Sequence, residues 1–310
     1  MSGKCEGMVA LVTGASQGGS GTGLAVRLAA EGAKVGITAR SAEGLERTRV
    51  MMEELGGEVL VMPCDLGEPD GGRETLVART EEAFGPLDIL VNEPVSHELK
   101  RVHEWTLNEL RKHTELNIWS YWLTMAQVIP GMRERGRGWI LNFTSFSGEL
   151  PPGPPFAFKA LDGSSMYGAT KAAINRVTVA AAAENYPVIA VNALTPQVAG
   201  GRAINSEHVP VKEIWEPTET MVEAGFALIT GDPAVLTGRI AYSLQLILEL
   251  QIPVYDFSGK NLMEGWQPDD VIKNIKADEK FHAGNNWPDV FDFHRPNTPY
   301  PEVLREAPLP

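Results

Sequence analysis

The sequence predicts an α/β fold built on one doubly wound parallel sheet, and three observations predict it. Apolar strand-like segments alternate with segments of helical apolar spacing from residue 8 to about residue 250. The strand segments are near-continuous apolar runs, the pattern of strands covered on both faces. The first of them, Met8-Val-Ala-Leu-Val-Thr13, runs straight into the glycine-rich turn Gly14-Ala-Ser-Gln-Gly18-Gly19-Ser-Gly21-Thr-Gly23 and then into a helix.

The elements follow in order. Leu24, Ala25, Leu28 and Ala29 recur at helical spacing, and Glu31-Gly-Ala-Lys34 ends that helix before a second strand over 35–38. The same reasoning gives helix 42–55, strand 58–63, helix 70–84, strand 88–92 and a long helix over about 105–134. Strand 139–144, helix 165–184 and strand 187–194 come next. Helices over 218–229 and roughly 233–250 precede the short segment Pro253-Val-Tyr-Asp256. Residues 1–256 are thus expected to form a single domain. From 257 to 310 the composition shifts to Pro, Asn, Asp and Trp, which cannot build a core alone. Trp266, Phe281, Trp287, Phe291 and Phe293 predict an irregular C-terminal extension packed on the domain or on a neighbouring subunit.

Composition excludes several classes of partner. With 27 basic against 40 acidic side chains the net charge is −13, which disfavours nucleic acid and anionic membranes. No apolar run approaches the roughly 18 residues of a membrane span, and the N-terminus lacks a signal-like apolar region, so a cytoplasmic location is expected. Cys5 and Cys64 lie far apart without ligand-like His/Cys spacing, so neither a disulfide scaffold nor a metal site is expected.

Two motifs carry chemistry. Glycines in a strand-turn-helix unit let the backbone approach a dinucleotide pyrophosphate, whose charge is favoured by the free N–H groups at the helix N-terminus. Which of Gly18, Gly19 and Gly21 faces the phosphates is open, because the turn carries an extra residue. Tyr167-Gly-Ala-Thr-Lys171 places a phenol and an ammonium on one face of a helix, where the cation is expected to lower the phenol pKa.

These motifs, together with Ser145 at the end of a strand in Gly138-Trp-Ile-Leu-Asn142-Phe-Thr-Ser145 and Asn117 in the preceding helix, make the chain resemble the short-chain dehydrogenase/reductase family over about residues 6–260. The resemblance implies a Rossmann fold and a hydride transfer between a nicotinamide and a carbonyl carbon. It implies that Tyr167 exchanges the proton and that Ser145 holds the oxygen. Lys171 would lower the tyrosine pKa and contact the nicotinamide ribose, and Asn117 would hold a water linking Lys171 to solvent. Gly14, Ser16, Gln17, Gly18, Gly19 and Gly21 are expected around the phosphates. Asp65 and Leu66 are expected at the adenine, with Asn92, Pro196, Val198 and Ala199 completing the cofactor contacts. After the second strand, Ala39 replaces the acidic residue of NAD-preferring relatives and Arg40 can pair with a 2′-phosphate. NADP is therefore expected, with NAD the alternative. The sequence departs from the family at Asn92-Glu93-Pro94-Val95, which replaces Asn-Asn-Ala-Gly, and at Pro196-Gln197, which replaces Pro-Gly. Gly201 stands where a threonine often helps hold the carboxamide, and Asp256-Phe-Ser-Gly259 matches the terminal Asp-Gly-Gly loosely.

The substrate expected is a lipophilic ketone or secondary alcohol. The insert between Ser145 and Tyr167 is stiff and aromatic, so Phe156 and Phe158, with Phe146 and Trp215, are expected to wall the site. A 3-oxoacyl-thioester reductase and a steroid or alicyclic reductase are rivals within the family. A dinucleotide-sensing or interaction protein without turnover is the rival from another class, and a cofactor-free lyase on the same fold a further one. The resemblance implies pairing of the helices of Asn117 and Tyr167 across a two-fold axis, and with Trp119, Trp122, Ala172 and Ala173 on them a homodimer or homotetramer is expected.

Overall fold

The computed structural model describes residues 3–150, 163–196 and 216–254. Seven parallel strands lie in the order β3-β2-β1-β4-β5-β6-β7. They are β1 (Val9–Thr13), β2 (Lys34–Ala39), β3 (Val59–Pro63), β4 (Ile89–Asn92), β5 (Gly138–Phe143), β6 (Ile189–Thr195) and β7 (Ile240–Tyr242). The apolar runs are buried on both faces because successive side chains point to opposite sides. In β1, Ala10 and Val12 pack with α1 (Ser20–Ala30), α2 (Ala42–Glu53) and α7 (Thr218–Leu228) through Leu24, Leu45 and Phe226. Val9 and Leu11 pack on the opposite side with α3 (Leu76–Phe84), α5 (Ser120–Arg135) and α6 (Ser165–Asn185) through Leu76, Val128 and Ala182.

Strand order reverses at β1, which pairs with β2 on one side and β4 on the other. Such a reversal opens a crevice beyond the carboxyl ends of the two strands, the usual place for a ligand in this class of sheet. Here those ends deliver Gly14 and Glu93.

Two expectations need correction. The segment expected as helix 233–250 is a turn, a strand and a short helix. Asp232 O accepts the N–H groups of Val235 and Leu236, Ile240–Tyr242 pairs with β6, and α8 (Ser243–Leu250) begins only afterwards. Ile240, Ala241 and Tyr242 fit a helical spacing, but the edge of β6 offers their backbone a ladder. The helix expected over 70–84 starts later, with a 3-10 turn at Arg73–Thr75 before α3. The long helix expected over 105–134 is present and runs without a break over 107–135, its two parts, α4 (Leu107–Thr114) and α5, joined by a π-helical turn over Glu115–Trp119. Asp256 and the extension 257–310 lie outside the described residues. Among the described residues no helix is long and apolar enough to cross a membrane.

Candidate active site

Tyr167 and Ser145 reach each other because two elements approach very closely. Ser145 leaves β5 and caps a 3-10 turn over Phe146–Gly148, its hydroxyl accepting the Ser147 N–H at 3.2 Å. That turn lies against α6. A Cβ on Gly168 would sit 2.6 Å from Ser147 O, and one on Gly148 would sit 2.8 Å from the Lys171 carbonyl carbon. Glycine at both positions therefore sets the distance between the β5 end and α6, and brings the Ser145 side chain near enough to the Tyr167 phenol to act on its pKa.

Burial raises the Tyr167 pKa, and the Ser145 hydrogen bond only partly offsets that. This reverses the expected direction. Lys171 Nζ lies 5.8 Å from the Tyr167 ring centroid and donates to Phe143 O at 2.8 Å and to the Tyr121 hydroxyl at 3.5 Å. Burial pushes the Lys171 ammonium down to about 7, against the opposing charge of Glu93. A lysine only about half protonated near pH 7, with its Nζ turned to Phe143 O and Tyr121, exerts a weakened field on the phenol.

Asn117 is fully buried in the π-helical turn. Its Oδ1 accepts the Ser96 N–H at 2.8 Å and its Nδ2 donates to Ser96 O at 2.9 Å, fastening the loop after β4 to the helix pair. The same Nδ2 meets His113 Nε2 at 3.0 Å and Thr170 Oγ1 at 3.3 Å, which ties Asn117 to α6. Asn117, Ser145, Tyr167 and Lys171 thus gather at the carboxyl end of the sheet beside the crevice.

The turn after β1 answers the question of which glycine faces the crevice. Gly18 N–H is taken by Thr22 Oγ1 at 3.1 Å and Gly19 caps α1, whereas Gly21 lies against the Glu93 carboxyl. Ser16 is buried with its Oγ 3.4 Å from Gln17 Nε2. Arg40 is exposed and makes no salt bridge among the described residues. Asp65 Oδ1 accepts the Gly67 N–H at 2.9 Å, Leu66 is buried, and Pro196 follows directly on β6. Asn92 does not offer its side chain to the crevice. Its amide donates to Asn142 Oδ1 at 3.0 Å and accepts from Thr124 Oγ1 at 2.9 Å, locking β4 to β5 and α5. Phe146 is half-buried beside Ser145. Gln197, Val198, Ala199, Gly201, Phe156, Phe158 and Trp215 lie outside the described residues.

Three side chains at the site escaped sequence reasoning. Tyr121 is fully buried and its hydroxyl donates to Pro94 O at 3.0 Å. His97 sets its ring edge-on to Tyr167 with centroids 4.5 Å apart, and burial followed by Lys171 lowers its pKa. Glu93 is partly buried, and loss of water pushes its carboxyl up to about 8, against the lowering effects of the Gly21 N–H and Lys171. The sequence showed Glu93 only as part of the departure from Asn-Asn-Ala-Gly; its charge was the overlooked signal.

A dinucleotide fits this crevice apart from Glu93. The β1-turn-α1 unit supplies a helix N-terminus, a Cβ at Gly19 would meet nothing within 4 Å, and Arg40 stands at the end of β2. Among the described residues no group of His, Cys, Asp and Glu could hold a metal ion.

Comparison with known proteins agrees with this geometry. Residues 8–207 match the family model described as short chain dehydrogenase. A levodione reductase of Leifsonia aquatica is 32% identical over 195 residues, 61% of this chain and 68% of its own length. An uncharacterized oxidoreductase of Staphylococcus aureus is 29% identical over 170 residues, 55% of this chain and 68% of its own. Among solved structures, a short chain dehydrogenase of Burkholderia cenocepacia in complex with NADP superposes with a TM-score of 0.65 at 26% identity, covering 76% of this chain and 96% of that one.

Proposed function

This chain belongs to the short-chain dehydrogenase/reductase family of NAD(P)-dependent oxidoreductases, and we propose that it uses NADP to reduce a lipophilic ketone to a secondary alcohol with Tyr167 as the acid. One observation carries the reading: a phenol beside Ser145, with Lys171 one turn further along the helix, next to the crevice at the strand-order reversal.

A bound nicotinamide supplies hydride to the carbonyl carbon. The chain's own groups then manage the oxygen. Negative charge accumulates there, and the Ser145 hydroxyl and Tyr167 phenol are the donors that meet it. At neutral pH Tyr167 carries its proton, the form that protonates an alkoxide. Lys171 and Tyr121 fix the end of β5 by converging on Phe143 O, and Asn117 fixes the loop that carries His97. Exposed Arg40 suits a 2′-phosphate, and the likeness to a protein crystallised with NADP supports that choice. Phe146 supports an apolar substrate wall, to which Phe156, Phe158 and Trp215 are assigned by sequence alone. Assembly as a homodimer or homotetramer is supported by Trp119 and Trp122, 45% and 50% exposed at the π-helical turn and the start of α5.

Incubation with NADPH and a panel of ketones graded from acetone to bulky alicyclic and aromatic ketones tests the reading by loss of nicotinamide absorbance. Turnover rising with apolar bulk is expected. A second reading, a dinucleotide-responsive protein without turnover, is favoured by the Glu93 carboxyl at Gly21; it predicts NADPH binding with no oxidation by any carbonyl compound.

A further inference from the structure

The residue after Asn92 brings a carboxylic acid to the spot where a dinucleotide would bring its own negative charge. Glu93 leaves β4 at the strand-order reversal, its N–H donates to Thr13 Oγ1 at 3.3 Å, and its backbone lies against Gly14. Its carboxyl then lies against the Gly21 backbone in the first turn of α1, where that N–H favours the carboxylate. A Cβ on Gly21 would overlap the carboxyl, so the contact depends on glycine there. In a strand-turn-helix unit these N–H groups are the donors that a pyrophosphate uses. One N–H cannot serve both. An ionised Glu93 beside a pyrophosphate would also be a like-charge pair, shielded from water on several sides.

We propose that Glu93 is an internal competitor for the dinucleotide: its carboxyl holds the α1 N-terminus in the free protein, and the dinucleotide binds once that carboxyl is displaced and protonated. The inference rests on the cofactor reading above and adds a pH-dependent control of that site. Each neighbouring element brings few charges to Glu93. α6 contributes Lys171, which favours the carboxylate, and α5 contributes Tyr121, whose phenol is held far above neutrality by burial. The first ionisable side chain of α1 is Arg27, two turns away and bound to Glu31 and Glu223, and β1 offers only the Thr13 hydroxyl. His97, on the loop that Glu93 begins, has its pKa lowered and is neutral in the alkaline range. Glu93 and Lys171 are therefore the groups that titrate near neutrality, since burial pushes the carboxyl up to about 8 and the ammonium down to about 7. Below that range the carboxyl already carries its proton. Above it, each dinucleotide bound draws one proton from solvent onto Glu93.

Isothermal titration of NADPH into the whole protein, in buffers of different ionisation enthalpy, counts the protons taken up. Near pH ~9 the wild type should take up close to one proton per dinucleotide, and Glu93→Gln should take up almost none. The wild-type dissociation constant should rise by up to about tenfold per pH unit above ~8, while that of Glu93→Gln stays lower and flatter. Wild-type binding without proton uptake overturns the proposal, and needs no variant. Undiminished uptake in Glu93→Gln also overturns it, by assigning the proton to Lys171. Absence of NADPH binding to both proteins at every pH overturns the cofactor reading itself, whereas the preceding outcomes leave that reading standing.

Discussion

Replacing Glu93 by Gln should change how the stability of the dinucleotide-free protein depends on pH. The Glu93 carboxyl has an ordinary value of 4.5 and is pushed up to about 8 in the fold. A group with a raised folded pKa contributes stability that is full below its unfolded pKa and is lost as pH rises through the folded one. Wild type should therefore lose stability relative to Glu93→Gln between about pH 4.5 and 8, and the gap should stay constant on either side. One proton is worth ~1.4 kcal/mol per pH unit, which sets an upper limit of roughly 5 kcal/mol across the window. Partial exposure of the side chain lowers the working expectation to about 1–3 kcal/mol. Lys171 has the opposite sign. Its depressed pKa costs stability as pH falls from 10.5 through about 7, and the cost is greater in the variant, which lacks the carboxylate that raises it. The acid limb below pH ~7 isolates the carboxyl as far as its coupling to Lys171 allows. Urea unfolding at pH values near 5, 6 and 7 reads the gap from the midpoints. A gap that does not widen with pH over this range would refute the placement of Glu93 in a desolvated crevice.

Further consequences are open to the same kinds of measurement. Tyr121→Phe removes the donor to Pro94 O and the acceptor of Lys171 Nζ, and should cost about 1–2 kcal/mol in urea unfolding; an unchanged midpoint contradicts the assigned bonds. Asn142→Ala strands the Asn92 amide and the Thr178 hydroxyl inside the sheet, and should cost about 2–4 kcal/mol, with a lowered melting temperature as the readout. Arg40→Ala should reduce the preference for NADPH over NADH by roughly 10 to 150-fold in dissociation constants, and an unaltered ratio removes Arg40 from the 2′-phosphate.

The parallel sheet and its layering were legible in the sequence because a sheet buried on both faces leaves continuous apolar runs, such as Ile89–Val91 and Ile189–Val191. The missed strand, Ile240–Tyr242, is three residues long and flanks a helix, so no periodicity separates the two. Only its pairing with β6 does. At the site, the strand-turn-helix unit and the spacing of Tyr167 and Lys171 were local signals and survive as geometry. The direction of the Tyr167 shift was not legible, because it depends on how much of the phenol is buried and on Lys171 turning to Phe143 O and Tyr121. Asn92 reads as a cofactor contact by position, yet its partners Asn142 and Thr124 come from distant segments and consume its amide. Glu93 reads only as a departure from the family pattern until Gly21 and Lys171 are seen beside it.

The account stands most directly on Tyr167 as the proton donor. Tyr167→Phe should bind NADPH with an affinity close to that of the wild type, while ketone-dependent NADPH oxidation falls by roughly 10²- to 10⁴-fold. Oxidation by Tyr167→Phe at a rate close to that of the wild type would contradict it.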